Sequence, residues 1–282
     1  MILKKDLYVK NLKKEDWGVG KVIENIGGNI FNIFFINAGF RKFDKKNNPL
    51  VETSEIIDNE IFLNLTDEHN DKFTTILELE KYFLQNYENG FNGEKYKDRE
   101  RIYKNEAHSL AIELLGEDEF SKLLKNEQYQ EILLRALKII NKTNLIFPNE
   151  KMSFKDGLNE KVKIEQFSNI LYKLLYYSEN EQLNFEKWII FLENIGANKW
   201  TIASYFQFLI HPEKYIFIKP TITQEIAKIS AYDIEYTPKL NWNTFHKVQK
   251  FSKYFKNNIK SLNPKDMIDV QSFMWCVSER NK

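Results

Sequence analysis

The spacing of apolar residues in this 282-residue chain changes from a strand period to a helical period near residue 66. Before that point, short runs of Val, Ile and Phe are broken by half of the ten glycines, namely Gly18, Gly20, Gly27, Gly28 and Gly39. Such runs predict strands, whereas apolar residues recurring every three or four positions predict helices. The sequence therefore predicts an α+β protein, with an all-β domain over 1–66 and a mostly α-helical domain over 67–282 that could divide again near 145–160.

A hairpin is predicted around Gly27-Gly28-Asn29, which separates two runs of strand-forming residues. The turn needs positive φ, a conformation that Gly and Asn adopt at low cost. The run after it, 30–36, alternates imperfectly between apolar and polar residues. That pattern indicates a strand buried on one face and partly covered on the other, and we expect Val22 and Phe35 to lie in the interior.

The segment Trp17-Gly18-Val19-Gly20-Lys21-Val22, with the later Asn37-Ala38-Gly39-Phe40-Arg41-Lys42, resembles a small Tudor-like or SH3-like barrel. Such barrels are found at the carboxy terminus of UvrD/PcrA-type helicases and, more loosely, in CarD-like transcription regulators. The resemblance covers about 45 residues and implies a five-stranded barrel that docks a protein, often RNA polymerase. It places Trp17 in the barrel core and makes Lys21, Arg41 and Lys42 the candidate docking contacts. The placement differs, because this segment is N-terminal and no helicase motifs follow it.

Charge is unevenly distributed, although the net charge is only +1. Residues 188–282 hold 13 basic and 8 acidic groups, a net +5, which leaves −4 for the rest of the chain. Residues 236–265 contain seven lysines and no acidic residue. Within them, 243–262 predicts an amphipathic helix that shows lysines to a nucleic-acid backbone or simply to solvent. The candidate binding residues are Lys247, Lys250, Lys253, Lys256 and Lys260, with Tyr236, Trp242 and Tyr254 as candidate stacking groups.

The turn Ile195-Gly196-Ala197-Asn198-Lys199 separates two predicted helices and resembles the helix-hairpin-helix of base-excision DNA glycosylases. In that family, backbone amides at a helix N-terminus bind a DNA phosphate, which makes Gly196, Asn198 and Lys199 candidate nucleic-acid contacts. Asn198 replaces the family's second glycine, and Lys219 stands where the family has its catalytic aspartate. Three interpretations of this turn stay open: a DNA-binding hairpin without catalytic activity, an active glycosylase, and a helical turn that binds nothing.

Two carboxylates, Asp266 and Asp269, lie in the strongly apolar segment 263–275. A carboxylate buried in such a segment must be paired or catalytic. Lys219 is a candidate partner of Asp269 on charge grounds, and Lys219, Asp266 and Asp269 are the weak catalytic candidates. The C-terminal half also resembles uncharacterised bacterial proteins with the same N-terminal barrel, a resemblance that implies no activity.

Several site classes have no support in the sequence. Cys276 is the one cysteine, the four histidines form no ligand-spaced pair, and no phosphate-loop or hydrolase motif occurs. We therefore predict neither a metal nor a cofactor. The N-terminal residues do not form a signal peptide, and the longest apolar stretch, 30–40, is far shorter than the roughly 20 residues that span a bilayer. A cytoplasmic protein without membrane contact is expected.

The leading hypothesis is a nucleic-acid-associated protein, whose barrel docks a partner such as RNA polymerase or a repair protein and whose helical domain contacts DNA or RNA. One alternative is a divergent helix-hairpin-helix DNA repair enzyme resembling the base-excision glycosylases. A third hypothesis is an interaction or host-defence accessory protein that does not bind nucleic acid.

Overall fold

The computed structural model describes residues 3–46, 49–54, 60–66 and 73–278. Residues 67–72, which include the start of the predicted helical domain and His69, lie outside the described residues. The protein is α+β, with five antiparallel strands near the N-terminus followed by helices. The chain forms two compact units, an N-terminal unit of residues 1–82 and 224–234 and a helical unit of residues 83–223 and 235–282.

The N-terminal unit differs from the predicted 1–66 domain because it includes a later piece of chain, 224–234. Leu65 pairs with Tyr232 in an antiparallel bridge. The backbone amide of Thr74 donates a 2.8 Å hydrogen bond to the carbonyl of Ile229. These contacts place residues 224–234 beside the residues that follow the strands. Because they join segments that are far apart in the sequence, no local sequence pattern predicts them.

The strands form one antiparallel sheet in the order β4-β3-β2-β1-β5. Their bounds are β1 Tyr8–Asn11, β2 Val19–Gly27, β3 Ile30–Phe35, β4 Gly39–Asp44 and β5 Leu50–Glu52. Within the described ranges, β4 and β5 are the two edges and do not pair with each other. The sheet is therefore open, and the closed barrel expected from the sequence is not seen.

The predicted hairpin is confirmed, since a two-residue turn at Gly28 and Asn29 joins β2 to β3. Gly28 has φ +58°, in the left-handed region that favours glycine. Gly20 serves a different purpose, because it lies opposite Phe35 in the ladder. A Cβ atom at position 20 would lie 2.7 Å from the Phe35 ring, so only glycine lets that ring cross the strand.

Both faces of the sheet are covered, as the imperfect alternation of β3 predicts. On one face, Val22 and Phe35 lie in a buried cluster and are themselves fully buried, which confirms the expectation for both. On the other face, the buried Phe34 makes edge-to-face contacts with Phe62 and Phe73, with ring centroids 6.1 and 5.3 Å apart. The two aromatic partners follow the strands in sequence and belong to the same unit.

Helices make up most of the remaining described chain. Their bounds are α1 Glu60–Leu63, α2 Ile76–Asn86, α3 Glu94–Tyr96, α4 Ile102–Leu115, α5 Glu117–Lys125, α6 Tyr129–Asn141, α7 Pro148–Gly157, α8 Lys161–Tyr176, α9 Glu181–Asn194, α10 Trp200–Ile210, α11 Pro220–Ile229, α12 Trp242–Asn258 and α13 Met267–Val277. Among the described residues, no helix combines the length and apolar character needed to cross a bilayer.

The sequence predicts a loop over 87–98, one helix over 120–140 and a last helix over 264–278, and the structure differs from each of these predictions. Residues 87–98, expected as a loop, contain α3 and lead into a π-helical turn over Lys97–Arg101 that continues as α4. The single helix expected over 120–140 divides into α5 and α6, where Glu127 has φ +54° and breaks the helical geometry. The last helix begins at Met267 rather than at Pro264, because the side chain of Asp266 accepts hydrogen bonds from the first backbone amides.

Candidate nucleic-acid interface and polar pocket

The predicted hairpin is present as a turn between α9 and α10. Gly196 has φ +72° and is exposed, with open space where a Cβ atom would lie. Asn198 and Lys199 are also exposed, and Lys199 occupies the position just before the first residue of α10. The structure thus brings the three hairpin candidates together at the N-terminal end of one helix.

A carboxylate already lies beside this helix end. The hydroxyl of Thr201, in the first turn of α10, donates a 2.8 Å hydrogen bond to Glu150. A negative charge at a helix N-terminus interacts favourably with the helix dipole. Glu150 therefore stabilises the start of α10, and it would also repel a phosphate that approached the hairpin. No local sequence pattern indicates this contact, because Glu150 lies 51 positions away from its partner.

Helix α12 carries the lysine-rich face predicted from the sequence. It is capped by Asn241, whose side chain accepts a 2.8 Å hydrogen bond from the amide of Thr244. Its apolar face is buried and includes Phe245, Phe251 and Phe255. The amphipathic prediction for this segment is confirmed, although the α-helix ends at Asn258 and not at residue 262.

The opposite side of α12 is basic, and we call Lys247, Lys250, Lys253 and Lys256 the lysine face. Lys250 and Lys253 are exposed, and neither forms an ion pair with a residue in the described ranges. At its two ends, Lys247 pairs with Glu235 and Lys256 donates a 3.1 Å hydrogen bond to the carbonyl of Lys265. The fifth candidate, Lys260, is exposed in the short turn that follows the helix.

The candidate stacking groups differ in their exposure. Tyr254 is only 7% exposed, so its ring has no open face and the stacking prediction for it is wrong. Trp242 is half-buried and stacks on His246, with ring centroids 5.3 Å apart. Tyr236 is half-buried next to Trp200, at a centroid distance of 6.4 Å. The two half-buried rings are the ones that remain available at the start of α12.

The carboxylates of Asp266 and Asp269 are both paired with one guanidinium. Arg101 donates two 2.6 Å hydrogen bonds to the two oxygens of Asp266 and a 2.9 Å bond to Asp269. Tyr96 donates its hydroxyl to Asp269 at 2.6 Å, and the amide of Lys265 donates to the other oxygen at 2.8 Å. Burial and the adjacent carboxylate raise the pKa of Tyr96, which keeps the hydroxyl protonated as a donor.

This network corrects the expected pairing of Asp269 with Lys219, since the partner of Asp269 is Arg101. The side chains of Arg101 and Asp269 are 13% and 2% exposed, so the carboxylate of Asp269 is shielded from solvent. Asp266 and Asp269 thus have structural roles in capping and pairing, which leaves Lys219 as the one predicted catalytic candidate outside the network. Neither Tyr96 nor Arg101 could be predicted from local pattern, because Tyr96 lies in the predicted loop and Arg101 is more than 160 residues away from either carboxylate.

Lys219 lies at a different place, a cavity of about 250 Å³ in the helical unit. Its ammonium is 4.6 Å from the ring centre of Phe147 and 5.7 Å from that of Trp275. We call this cavity the polar pocket and define it by its lining residues Arg99, Glu100, Lys104, Lys219, Gln271 and Trp275. Arg99 and Glu100 come from the π-helical turn, a local distortion that is frequent at functional sites.

Lys104 is the most deeply buried charged group of the polar pocket, at 1% exposure. Its ammonium donates to Glu100 at 2.9 Å and to the hydroxyl of Ser272 at 2.7 Å. Burial lowers the pKa of Lys104, and the nearby Glu100 carboxylate opposes that shift. The Glu100 and Lys104 pair has the four-residue spacing of a helical ion pair, a signal that is visible in the sequence alone.

The three candidate docking residues of the N-terminal unit have different surroundings. Lys21 is half-buried and already has partners, since it pairs with Asp6 at 3.0 Å and donates to the carbonyl of Phe62 at 3.1 Å. Arg41 and Lys42 are exposed on the edge strand β4, and the guanidinium of Arg41 lies 5.5 Å from the ring centre of Trp17. Trp17 is half-buried and packs edge-on against Phe35, at the margin of the core.

Cys276 is buried, and burial raises the pKa of its thiol to about 12. A thiol in that state carries almost no thiolate near neutral pH and is a poor nucleophile. In the described part of the chain, no group of three or more His, Cys, Asp or Glu side chains is arranged to hold a metal ion.

Comparison with known proteins finds no matching family model and no significantly similar curated protein or solved structure. The resemblances to Tudor-like barrels and to helix-hairpin-helix enzymes therefore stay predictions.

Proposed function

We propose that this protein binds the backbone of DNA or RNA through the lysine face of α12. The observation that carries the proposal is the exposure of Lys250 and Lys253 on a stretch, 236–265, that contains no acidic residue. Lysines that neutralise phosphates release condensed counterions, and this release drives binding at low salt. A rigid helix with a buried apolar face holds the ammonium groups in fixed order along a strand of phosphates.

The hairpin before α10 extends this surface. The indole nitrogen of Trp200 donates a 3.0 Å hydrogen bond to the carbonyl of Thr237, in the segment that leads into α12. The bond ties the start of α10 to the segment that leads into α12, so Lys199, the residue before Trp200, lies close to that segment. A nucleic-acid backbone bound along α12 could therefore continue past the half-buried Tyr236 to the hairpin.

The test is a titration of labelled duplex DNA and single-stranded RNA at two salt concentrations. The double variant Lys250→Glu, Lys253→Glu should lose most of the affinity and lower the slope of log affinity against log salt by about 2. The matched control is Lys122→Glu, Lys125→Glu, which reverses two exposed lysines with the same spacing on α5. Absence of binding at low salt, or equal losses in both double variants, would sink the proposal.

A second function is supported by the exposure of Arg41 and Lys42 on the edge strand β4. We propose that this edge docks a protein partner, as the Tudor-like and SH3-like resemblance implies, with RNA polymerase or a repair protein as candidates. The variant Arg41→Glu, Lys42→Glu should reduce recovery of a partner captured by the wild-type protein. Lys4→Glu, Lys5→Glu is the control, because those lysines are exposed just before β1, which β2 and β3 separate from β4 in the sheet. Unchanged capture by the β4 variant would argue against this docking edge.

A further inference from the structure

The carboxylate of Glu235 holds two polar side chains from the first turns of α12. The amide of Asn243 donates a 2.5 Å hydrogen bond to one oxygen of Glu235, and the ammonium of Lys247 donates to the other. The hydrogen bonds from Lys247 and Asn243 lower the pKa of Glu235. The carboxylate is therefore ionised at neutral pH, and two donors of α12 converge on a negative charge.

This negative charge lies in line with the exposed lysines of α12. Asn243, Lys247 and Lys250 are spaced by four and three residues, so their side chains follow one another along one side of the helix. Neighbouring positions in such a row are about 5–6 Å apart. A nucleic-acid backbone that contacts Lys250 would therefore meet Glu235 one turn closer to the start of α12.

The position of the Glu235 carboxylate can be reached from solvent. The side chains of Glu235 and Lys247 are 49% and 21% exposed, and Asn243 is exposed. An exposed ion pair contributes little to stability, because water and salt screen it. A phosphate brings its own negative charge and acceptor oxygens, so it can replace the carboxylate without leaving Lys247 unpaired.

The backbone at Glu235 holds the carboxylate in this place at a cost in free energy. Its φ is +44°, in the left-handed region that is unfavourable for glutamate. The hydroxyl of the buried Thr244 donates a 2.8 Å hydrogen bond to the carbonyl of Glu235 and so fixes this conformation. Strain that is kept at an exposed polar residue points to a function for that residue.

We propose that Asn243 and Lys247 form a backbone-phosphate subsite at the start of the lysine face, and that Glu235 occupies this subsite in the free protein as an internal competitor. The subsite rests on the nucleic-acid binding proposed above and adds regulation to it, because a strand must displace Glu235 to use the whole length of α12. In the wild-type protein, a cation taken up by the displaced carboxylate offsets the counterion released from the phosphate.

The test variant is Glu235→Gln, titrated with labelled single-stranded RNA and duplex DNA at several salt concentrations. Its affinity should rise about twofold to fivefold at low salt. The slope of log affinity against log salt should become steeper by about 1, the value for one more phosphate contact. Lys247→Met should restore the wild-type slope in the Glu235→Gln background and leave the slope unchanged when it is the only substitution.

Two further variants control for charge and for structure. Glu106→Gln frees Lys142 from a similarly exposed ion pair between α4 and the end of α6, helices that pack against α5, α8 and α10, and it should change neither affinity nor slope. Glu235→Gly removes the carboxylate and suits the positive φ. It should bind as tightly as Glu235→Gln does, with an unfolding midpoint that is unchanged or higher.

Unchanged affinity and slope in Glu235→Gln would overturn the subsite, and so would an equal effect of Lys247→Met in both backgrounds. A lower unfolding midpoint of Glu235→Gly with wild-type affinity would show that Glu235 has a structural role alone. In these cases the loss of binding in Lys250→Glu, Lys253→Glu still supports the lysine face. If neither the wild type nor Glu235→Gln binds at low salt, the proposed function fails and the subsite fails with it.

Discussion

Arg101 joins the π-helical turn before α4 to the start of α13 by two 2.6 Å hydrogen bonds to the two oxygens of Asp266. The same carboxylate accepts from the amides of Ile268 and Asp269 and so caps α13. One side chain thus serves as helix cap and as ion-pair partner. Because the pairing is bidentate, it fixes the orientation of the guanidinium as well as its position.

Arg101→Met should destabilise the helical unit strongly. It leaves Asp269, with 2% of its side chain exposed, without its cationic partner, and removing one member of a buried pair costs about 3–5 kcal/mol. Urea unfolding followed by circular dichroism measures the effect. Lys163→Met is the control, because it breaks an exposed ion pair with Glu160 and should cost no more than about 1 kcal/mol. Equal costs for the two variants would contradict the structural role of the network.

The sequence could predict those parts of the molecule that depend on local pattern. The buried and basic sides of α12 follow from the spacing of Phe245, Phe251 and the lysines, and the β2–β3 turn follows from Gly28. The partner of Asp269 could not be predicted, since the ion pair joins segments more than 160 residues apart. The polar pocket was missed for the same reason, because Lys219 and Gln271 meet only in the folded unit.

Gly20→Ala should destabilise the N-terminal unit by about 1–3 kcal/mol, the usual cost of overpacking. The added methyl group would lie 2.7 Å from the ring of Phe35, which is fully buried and cannot easily move. Thermal unfolding checks the cost. In a Phe35→Leu background the smaller side chain gives room, so the same substitution should cost much less. A cost that is identical in both backgrounds would show that the contact is not the cause.

Cys276 should react slowly with a thiol reagent in the folded protein. Burial raises the pKa of its thiol to about 12, so the thiolate fraction at pH 8 is lower by a factor on the order of 10³ than for an unperturbed thiol. Because the folded pKa lies so high, the reaction rate should rise about tenfold per pH unit from pH 8 upward. The chain unfolded in guanidinium is the control, and its rate should level off above about pH 8.5. Rapid labelling of the folded protein at pH 8 would show that the thiol is accessible.

Glu150→Gln should strengthen nucleic-acid binding if the bound backbone reaches the hairpin. The carboxylate lies beside the first turn of α10, where it accepts from Thr201, and glutamine keeps that acceptor while removing the negative charge. Loss of one half-buried like charge near the surface is worth about 0.5–1 kcal/mol, or about twofold to fivefold in affinity. The control is Asp118→Asn, which removes an exposed charge from α5, a helix that packs against α4, α6 and α8. If both variants bind as the wild type does while Lys250→Glu, Lys253→Glu still loses affinity, the backbone follows α12 alone and the hairpin is a structural turn.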